Sequence, residues 1–230
     1  MDGSQGPPSK LSTGVPGLDS LLHGGLVSNR LYLVLGSPGT GKTTLGMRFL
    51  RAGLDADETV LFVHGEESQT DLLANGAALG IDLADANFLD IGPESDFFTQ
   101  SQAYDVVKTR DVEGDRLVAD IRETIEAVNP DRVLIDPISH LQYIEPNEYQ
   151  FRKRVIAFTR FLTDNDTTVL VTKTPRTRMD EQLRSLSDGV IRLERGEEGR
   201  RASVPKHRGV GQRDGTHGLD ITQDGLAVYP

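Results

Sequence analysis

A chain of 230 residues has room for one well-buried α/β core and is too short for two. It holds no cysteine, which excludes disulfides, thiolate catalysis and Cys-based zinc sites, and its five histidines lack metal-ligand spacing. Against 25 basic residues stand 35 acidic ones, a formal charge of −10 that repels a polyanion unless a local basic patch intervenes.

Lysine occurs only at positions 10, 42, 108, 153, 173 and 206, and aspartate outnumbers glutamate. This balance suits the salt-accumulating cytoplasm of a halophilic archaeon, an ordinary acidic prokaryotic protein being the alternative. No run of eighteen apolar residues exists, and Met1 to Pro8 has neither the basic nor the apolar region of a signal peptide, so a cytoplasmic protein away from membranes is expected.

Residues 1–9, rich in Gly, Pro and Ser, predict a flexible leader, with one ordered domain over 10–230. Between Leu11 and Leu26, apolar residues alternate with turn formers, which predicts a short helix at 16–22 and a turn at Gly24-Gly25. The apolar run Leu31 to Leu35 is a buried strand leading into Gly36-Ser37-Pro38-Gly39-Thr40-Gly41-Lys42-Thr43-Thr44. Apolar residues at helical spacing from Leu45 to Leu54 follow. G-x-x-x-x-G-K-T between strand and helix is a phosphate-binding loop. Its glycines let successive N–H groups turn toward one anion, Lys42 reaches the β- and γ-phosphates, and the Thr43 hydroxyl suits Mg²⁺.

Strands are predicted at 59–63, 87–91, 132–136 and 167–172. Helices are predicted from Ser68, with Leu72, Leu73, Ala77 and Leu79 on one face; through Leu117, Ile121, Ile125 and Val128; and from Glu148 to Leu162. Residues 92–114 are polar and weakly patterned, an excursion. Alternating strands and helices imply parallel β-α-β units covered on both faces. Beyond residue 185, short runs at 189–193, 201–204, 218–221 and 226–229 separated by turns predict an antiparallel set appended to that sheet.

Ligands of an open parallel sheet collect outside the carboxyl ends of its strands. Asp136 stands at such an end and fits the acidic group that orders Mg²⁺ opposite Thr43, or serves as a cap or turn residue. Glu66 and Glu67 stand at another. They suit deprotonation of an attacking water, one carboxylate raising the proton affinity of its neighbour, or form a solvated acidic loop. Strand alternation puts Lys206 and Arg208 on one side, aimed at a common anion or at solvent. Lys173 suits either phosphate sensing or a local ion pair.

In their order, Lys10 to Leu26, Gly36 to Thr43, Phe62 to Ser68, Leu134-Ile135-Asp136, Ser187 to Leu193, Lys206-His207-Arg208-Gly209 and Gly218 to Val228 resemble single-domain members of the KaiC family within the RecA superfamily. The resemblance implies a RecA-type core, ATP as nucleotide, Mg²⁺ as cofactor, and a homo-oligomeric ring, commonly a hexamer, with ATP between subunits. Lys206 and Arg208 would then reach the neighbour's γ-phosphate, while Glu66, Glu67 and Lys42 would act in catalysis. Pro137 departs from the small polar residue usual after the acidic position, and one ATPase domain stands where the clock proteins have two in tandem. The expected function is a slow regulatory or signalling ATPase with an unidentified protein partner. A DNA-binding recombinase paralogue, disfavoured by the net charge, and a non-hydrolysing ATP-dependent scaffold are the alternatives.

Overall fold

A computed structural model describes residues 9–92, 119–139, 147–175, 179–223 and 225–230. The leader up to residue 8, the excursion from residue 93 on and Leu117 lie outside the described residues.

The chain enters through β1 (Lys10–Leu11), α1 (Pro16–Leu21) and β2 (Leu26–Val27). β1 and β2 pair antiparallel, Leu11 opposite Leu26, and turn the entry segment into a two-stranded flap that the residue pattern did not announce. The core then alternates: β3 (Leu31–Gly36), α2 (Lys42–Leu54), β4 (Val60–His64), α3 (Gln69–Ala78) and β5 (Asn87–Asp90). Next come α4, helical over 119–128, β6 (Arg132–Asp136), α5 (Glu148–Asp164), β7 (Thr168–Lys173) and α6 (Met179–Leu186). Four strands end the chain: β8 (Gly189–Gly196), β9 (Gly199–His207), β10 (His217–Thr222) and β11 (Gly225–Tyr229).

All the long strands join one nine-stranded sheet in the order β11-β10-β9-β8-β3-β7-β6-β4-β5. From β8 to β5 every pairing is parallel, and β9, β10 and β11 continue antiparallel. This is the expected RecA-like arrangement, with one addition. The run at 189–193 opens the antiparallel set against β9, as expected, but it also belongs to the parallel sheet, pairing parallel with β3, Leu33 opposite Val190.

Side-chain alternation divides the core into two layers. Tyr32, Val34, Phe62, Leu134, Leu170 and Ile191 pack with α1, α2 and α3, whereas Leu31, Leu33, Leu35, Val133, Ile135 and Val171 pack with α4, α5 and α6. Covering on both faces explains why the central strands read as unbroken apolar runs. In α3, Ser68 caps the helix by accepting from the Asp71 N–H, as its spacing predicted. Ala77, however, is exposed and Gly76 is buried, its Cα facing Met47 and the Ile81 carbonyl. Helix α6 was not foreseen. Its eight residues are mostly polar, and only Leu183 is fully buried among the side chains described.

Arg132 opens β6 and is only 2% exposed. Its guanidinium pairs with Glu58, donates to the carbonyls of Ser12 (2.6 Å) and Phe49 (3.0 Å), and lies 5.0 Å above the Phe49 ring. One buried cation thereby ties the entry segment, α2 and the sheet together.

Candidate functional site

The carboxyl ends of β3, β6 and β4 lie at one level, because His64 registers with Asp136 in the parallel pairing and β7 bridges β6 to β3. The glycine-rich loop after β3, Asp136 at the end of β6 and the Glu66-Glu67 segment after β4 therefore lie at the same edge.

At the end of β3 the chain curls through residues 37–41 into α2. Gly39 has φ +76° and Gly41 φ +101°, conformations that side-chain-bearing residues avoid. Gly36 is required for space instead: a Cβ there would lie 2.4 Å from the Thr40 hydroxyl and 2.6 Å from the Leu193 carbonyl. Thr40 is buried and its hydroxyl donates to the Ser37 carbonyl at 2.8 Å, which closes the loop from within. Gly41 offers α2 no side-chain cap, and the first helical hydrogen bond from beyond the turn is Leu45 N–H to the Gly41 carbonyl. The N–H groups of the first helical turn are therefore left for an external acceptor at the positive end of the helix dipole.

Lys42 reaches back over the loop and donates to the Ser37 carbonyl at 3.2 Å. Burial lowers its proton affinity, while the carboxylates of Asp136 and Glu66 oppose that effect.

Asp136 accepts a hydrogen bond from the buried Thr172 hydroxyl at the end of β7, so its carboxylate is oriented from below. The Asp136–Pro137 peptide is cis. Hydroxyl and carboxylate oxygens from Thr43 and Asp136 are the hard donors that suit Mg²⁺, which takes only a few protein ligands and completes its shell with phosphate and water. Among the described residues no cluster of three or more His, Cys, Asp or Glu forms a metal cage.

Glu66 and Glu67 separate in space. The field of Glu66 falls on Lys42, whereas Glu67 accepts from the Asn75 side-chain amide of α3 at 2.9 Å. His64, buried among Phe62 and Phe88, donates from Nδ1 to the Glu67 carbonyl at 3.0 Å and fixes the bend between them. Lys173, which suited either a phosphate or a local pair, is buried and lies 3.7 Å from the Asp180 carboxylate of α6.

Lys206 and Arg208 are elsewhere. Antiparallel pairing sets Lys206 beside Val190 and His207 beside Gly189, and Arg208 follows at the level of Asp188, which hydrogen-bonds Leu31 at the start of β3. Five residues separate Leu31 from Gly36, roughly 16 Å along the strand. An arginine side chain does not cover that distance; Lys206, at the level of Leu33, stands about 10 Å back along the sheet and its ammonium turns to α6, so neither cation meets the loop of its own chain. As alternation predicted, they share one side: both bond the carboxyl end of α6, while His207 turns the other way onto Tyr32, ring centroids 6.0 Å apart.

Three neighbours of the loop escaped the sequence reading. The Arg200 Nε–H donates to the Gly39 carbonyl at 3.2 Å, Ile221 of β10 packs so closely that a Cβ on Gly41 would lie 2.6 Å from its Cδ1, and Thr172 supports Asp136. Arg200 and Ile221 come from far along the chain, in strands with no motif around those positions. The Thr-Lys pair ending the strand at 167–172 was the only signal for Thr172.

The family model described as "ATPase: KaiC" matches residues 11–230. A UPF0273 protein of Aeropyrum pernix is 31% identical over 96% of this chain and 94% of its own length, and one of Pyrococcus horikoshii is 30% identical over the same shares. The circadian clock oscillator protein KaiC of Parathermosynechococcus lividus is 30% identical over 98% of this chain, which spans 43% of that protein. With the phosphate loop, the RecA-like sheet and the carboxylates at its carboxyl edge, these similarities establish that the chain belongs to the KaiC ATPase family.

Proposed function

We propose that this protein binds Mg·ATP at residues 36–44, hydrolyses it slowly, and does so as a subunit of a homo-oligomeric ring, a hexamer, in a regulatory role. One observation carries the proposal. The phosphate loop, Asp136 and Glu66 lie at the carboxyl edge of the sheet, while Arg208 lies roughly 16 Å and Lys206 about 10 Å back from it, toward the amino edge. A site divided in this way is completed when the amino edge of one subunit meets the carboxyl edge of the next.

In this reading the loop amides and Lys42 hold the triphosphate, and Thr43 and Asp136 hold Mg²⁺, which when bound neutralises charge on the β- and γ-oxygens. Glu66, whose field reaches Lys42, takes the proton of the attacking water. Glu67, tied to Asn75, holds the bend and supplies the second negative charge. Lys206 and Arg208 of the neighbouring subunit stabilise charge on the transferred phosphoryl group.

The test is gel filtration with and without Mg·ATP, paired with phosphate release by wild type, Glu66→Gln and Glu67→Gln. Expected is ATP-dependent assembly, release by wild type, a loss of at least about 100-fold in Glu66→Gln and a smaller loss in Glu67→Gln. A wild-type ring that retains ATP without releasing phosphate refutes hydrolysis and leaves an ATP-dependent scaffold.

A further inference from the structure

The Ser187-Asp188-Gly189 segment has no part in the site as described so far. Its backbone joins β8 to the start of β3: the Asp188 N–H donates to the Leu31 carbonyl at 2.7 Å, and Asp188 Oδ2 accepts from the Leu31 N–H at 3.3 Å. The other carboxylate oxygen faces the opposite way and accepts from Arg208 Nη1 at 3.3 Å, while the Asp188 carbonyl accepts from the Arg208 N–H at 2.7 Å.

The carboxyl end of α6 is occupied by the same pair of cations. Lys206 Nζ donates to the carbonyls of Arg184 (2.7 Å) and Ser185 (2.9 Å), and Arg208 Nη2 donates to the Ser185 carbonyl at 3.2 Å. These are carbonyls that a helix end leaves without intrahelical partners, at the negative end of its dipole, and they attract cations. From behind, the Arg30 guanidinium donates to the Arg208 carbonyl and holds the turn in place.

Counting donors distinguishes a capped helix from a poised pair. An ammonium carries three N–H donors and a guanidinium five. Lys206 spends two of its three, and Arg208 spends two of its five. Among the described residues one and three respectively remain, and the Arg208 side chain is half exposed. The bonds to α6 and Asp188 thus restrain two long side chains in folding and still leave each able to donate to an anion. Side chains that would otherwise be ordered at the moment of binding are ordered beforehand.

We infer that Asp188, with the carbonyl end of α6, is a positioning residue that pre-organises Arg208, and through the shared Ser185 carbonyl Lys206, for the γ-phosphate bound by a neighbouring subunit. The inference rests on the divided-site reading above. It assigns Asp188 no contact with the nucleotide: its effect is exerted entirely through Arg208.

The experiment measures phosphate release against protein concentration for wild type, Asp188→Ala, Asp188→Asn, Arg208→Ala and the Asp188→Ala/Arg208→Ala pair, with ATP-analogue binding by dilute chain and the melting midpoint alongside. Asparagine keeps one of the two acceptors, which can still serve the Leu31 N–H, and turns the other into an amide donor that cannot bond Arg208, so it is the variant to read if alanine disturbs the β3–β8 pairing. The protein concentration giving half-maximal turnover should rise about tenfold in Asp188→Ala and about threefold in Asp188→Asn, while analogue binding by dilute chain stays within twofold of wild type. In the Arg208→Ala background, removing Asp188 should change nothing further. A purely structural Asp188 would lower the melting midpoint in both backgrounds and add its full effect to Arg208→Ala, and that outcome overturns the inference. So does an Asp188→Asn curve that superposes on wild type while wild-type turnover rises with concentration. A wild type without turnover at any concentration overturns the divided-site reading itself, and the inference with it.

Discussion

Thr172→Val tests whether Asp136 depends on the strand beside it. The Thr172 side chain is fully buried and its hydroxyl donates to Asp136 Oδ1, so valine keeps the volume and removes only the donor. A hydrogen bond to a charged group contributes about 1.5–3 kcal/mol. Asp136 is partly exposed and water recovers part of the loss, which places the expected effect near the lower bound, about 1.5 kcal/mol. If that bond orients the carboxylate toward Mg²⁺ as outer-shell partners do, the Mg²⁺ concentration giving half-maximal ATP binding rises roughly tenfold. Calorimetric ATP titrations at stepped Mg²⁺ concentrations give the midpoint, with metal-free ADP binding as the control that should not move. A Mg²⁺ midpoint within twofold of wild type, in a variant whose ADP binding is intact, would refute the role given to the Thr172–Asp136 contact.

Two further outcomes concern the fold and its pH response. Arg132→Ala leaves Glu58 and the carbonyls of Ser12 and Phe49 without their buried donor and should cost about 3–5 kcal/mol in urea unfolding. Nucleotide affinity of the folded protein should be unchanged, because Asp136 lies roughly 13 Å further along the same strand, and a loss below about 1 kcal/mol would show the cation to be dispensable. His207 is 5% exposed, with neither ring nitrogen hydrogen-bonded, and burial, reinforced by Lys10, Arg30 and His23, lowers its pKa to about 4. The folded pKa lies below the unfolded one, so the unfolded chain binds the extra proton first. Stability therefore falls as pH drops from about 6.5 to about 4, by on the order of 3 kcal/mol in full. His207→Leu should flatten that part of the stability–pH curve, and an unchanged slope would place the titration elsewhere.

The phosphate loop was legible because its chemistry is local: curl, lysine and hydroxyl all lie within nine consecutive residues, Gly36 to Thr44. The buried strands were legible for a similar reason, since a strand covered on both faces must be apolar at every position. Asp136 and the glutamate pair could be proposed because each ends such a run, and strand ends converge in a parallel sheet. Helix α6 was missed because only eight residues, few of them apolar, carry it, and the parallel pairing of the run at 189–193 with β3 was missed because a short β-rich segment does not reveal which neighbours it will take.

By itself, then, the sequence determined the parallel core, the glycine-rich loop with its lysine and hydroxyl, and the identity of the groups available around it, since these follow from periodicity and from residues adjacent in the chain. Tertiary structure alone decided which groups meet. It separated Glu66 from Glu67, seated Thr172 under Asp136, brought Arg200 and Ile221 to the loop, paired Lys173 with Asp180, and carried Lys206 and Arg208 back from the loop, Arg208 beside Asp188. The physical reason is register: one residue along a strand moves a side chain about 3.3 Å and turns it to the other face, and pairing between distant strands sets that register.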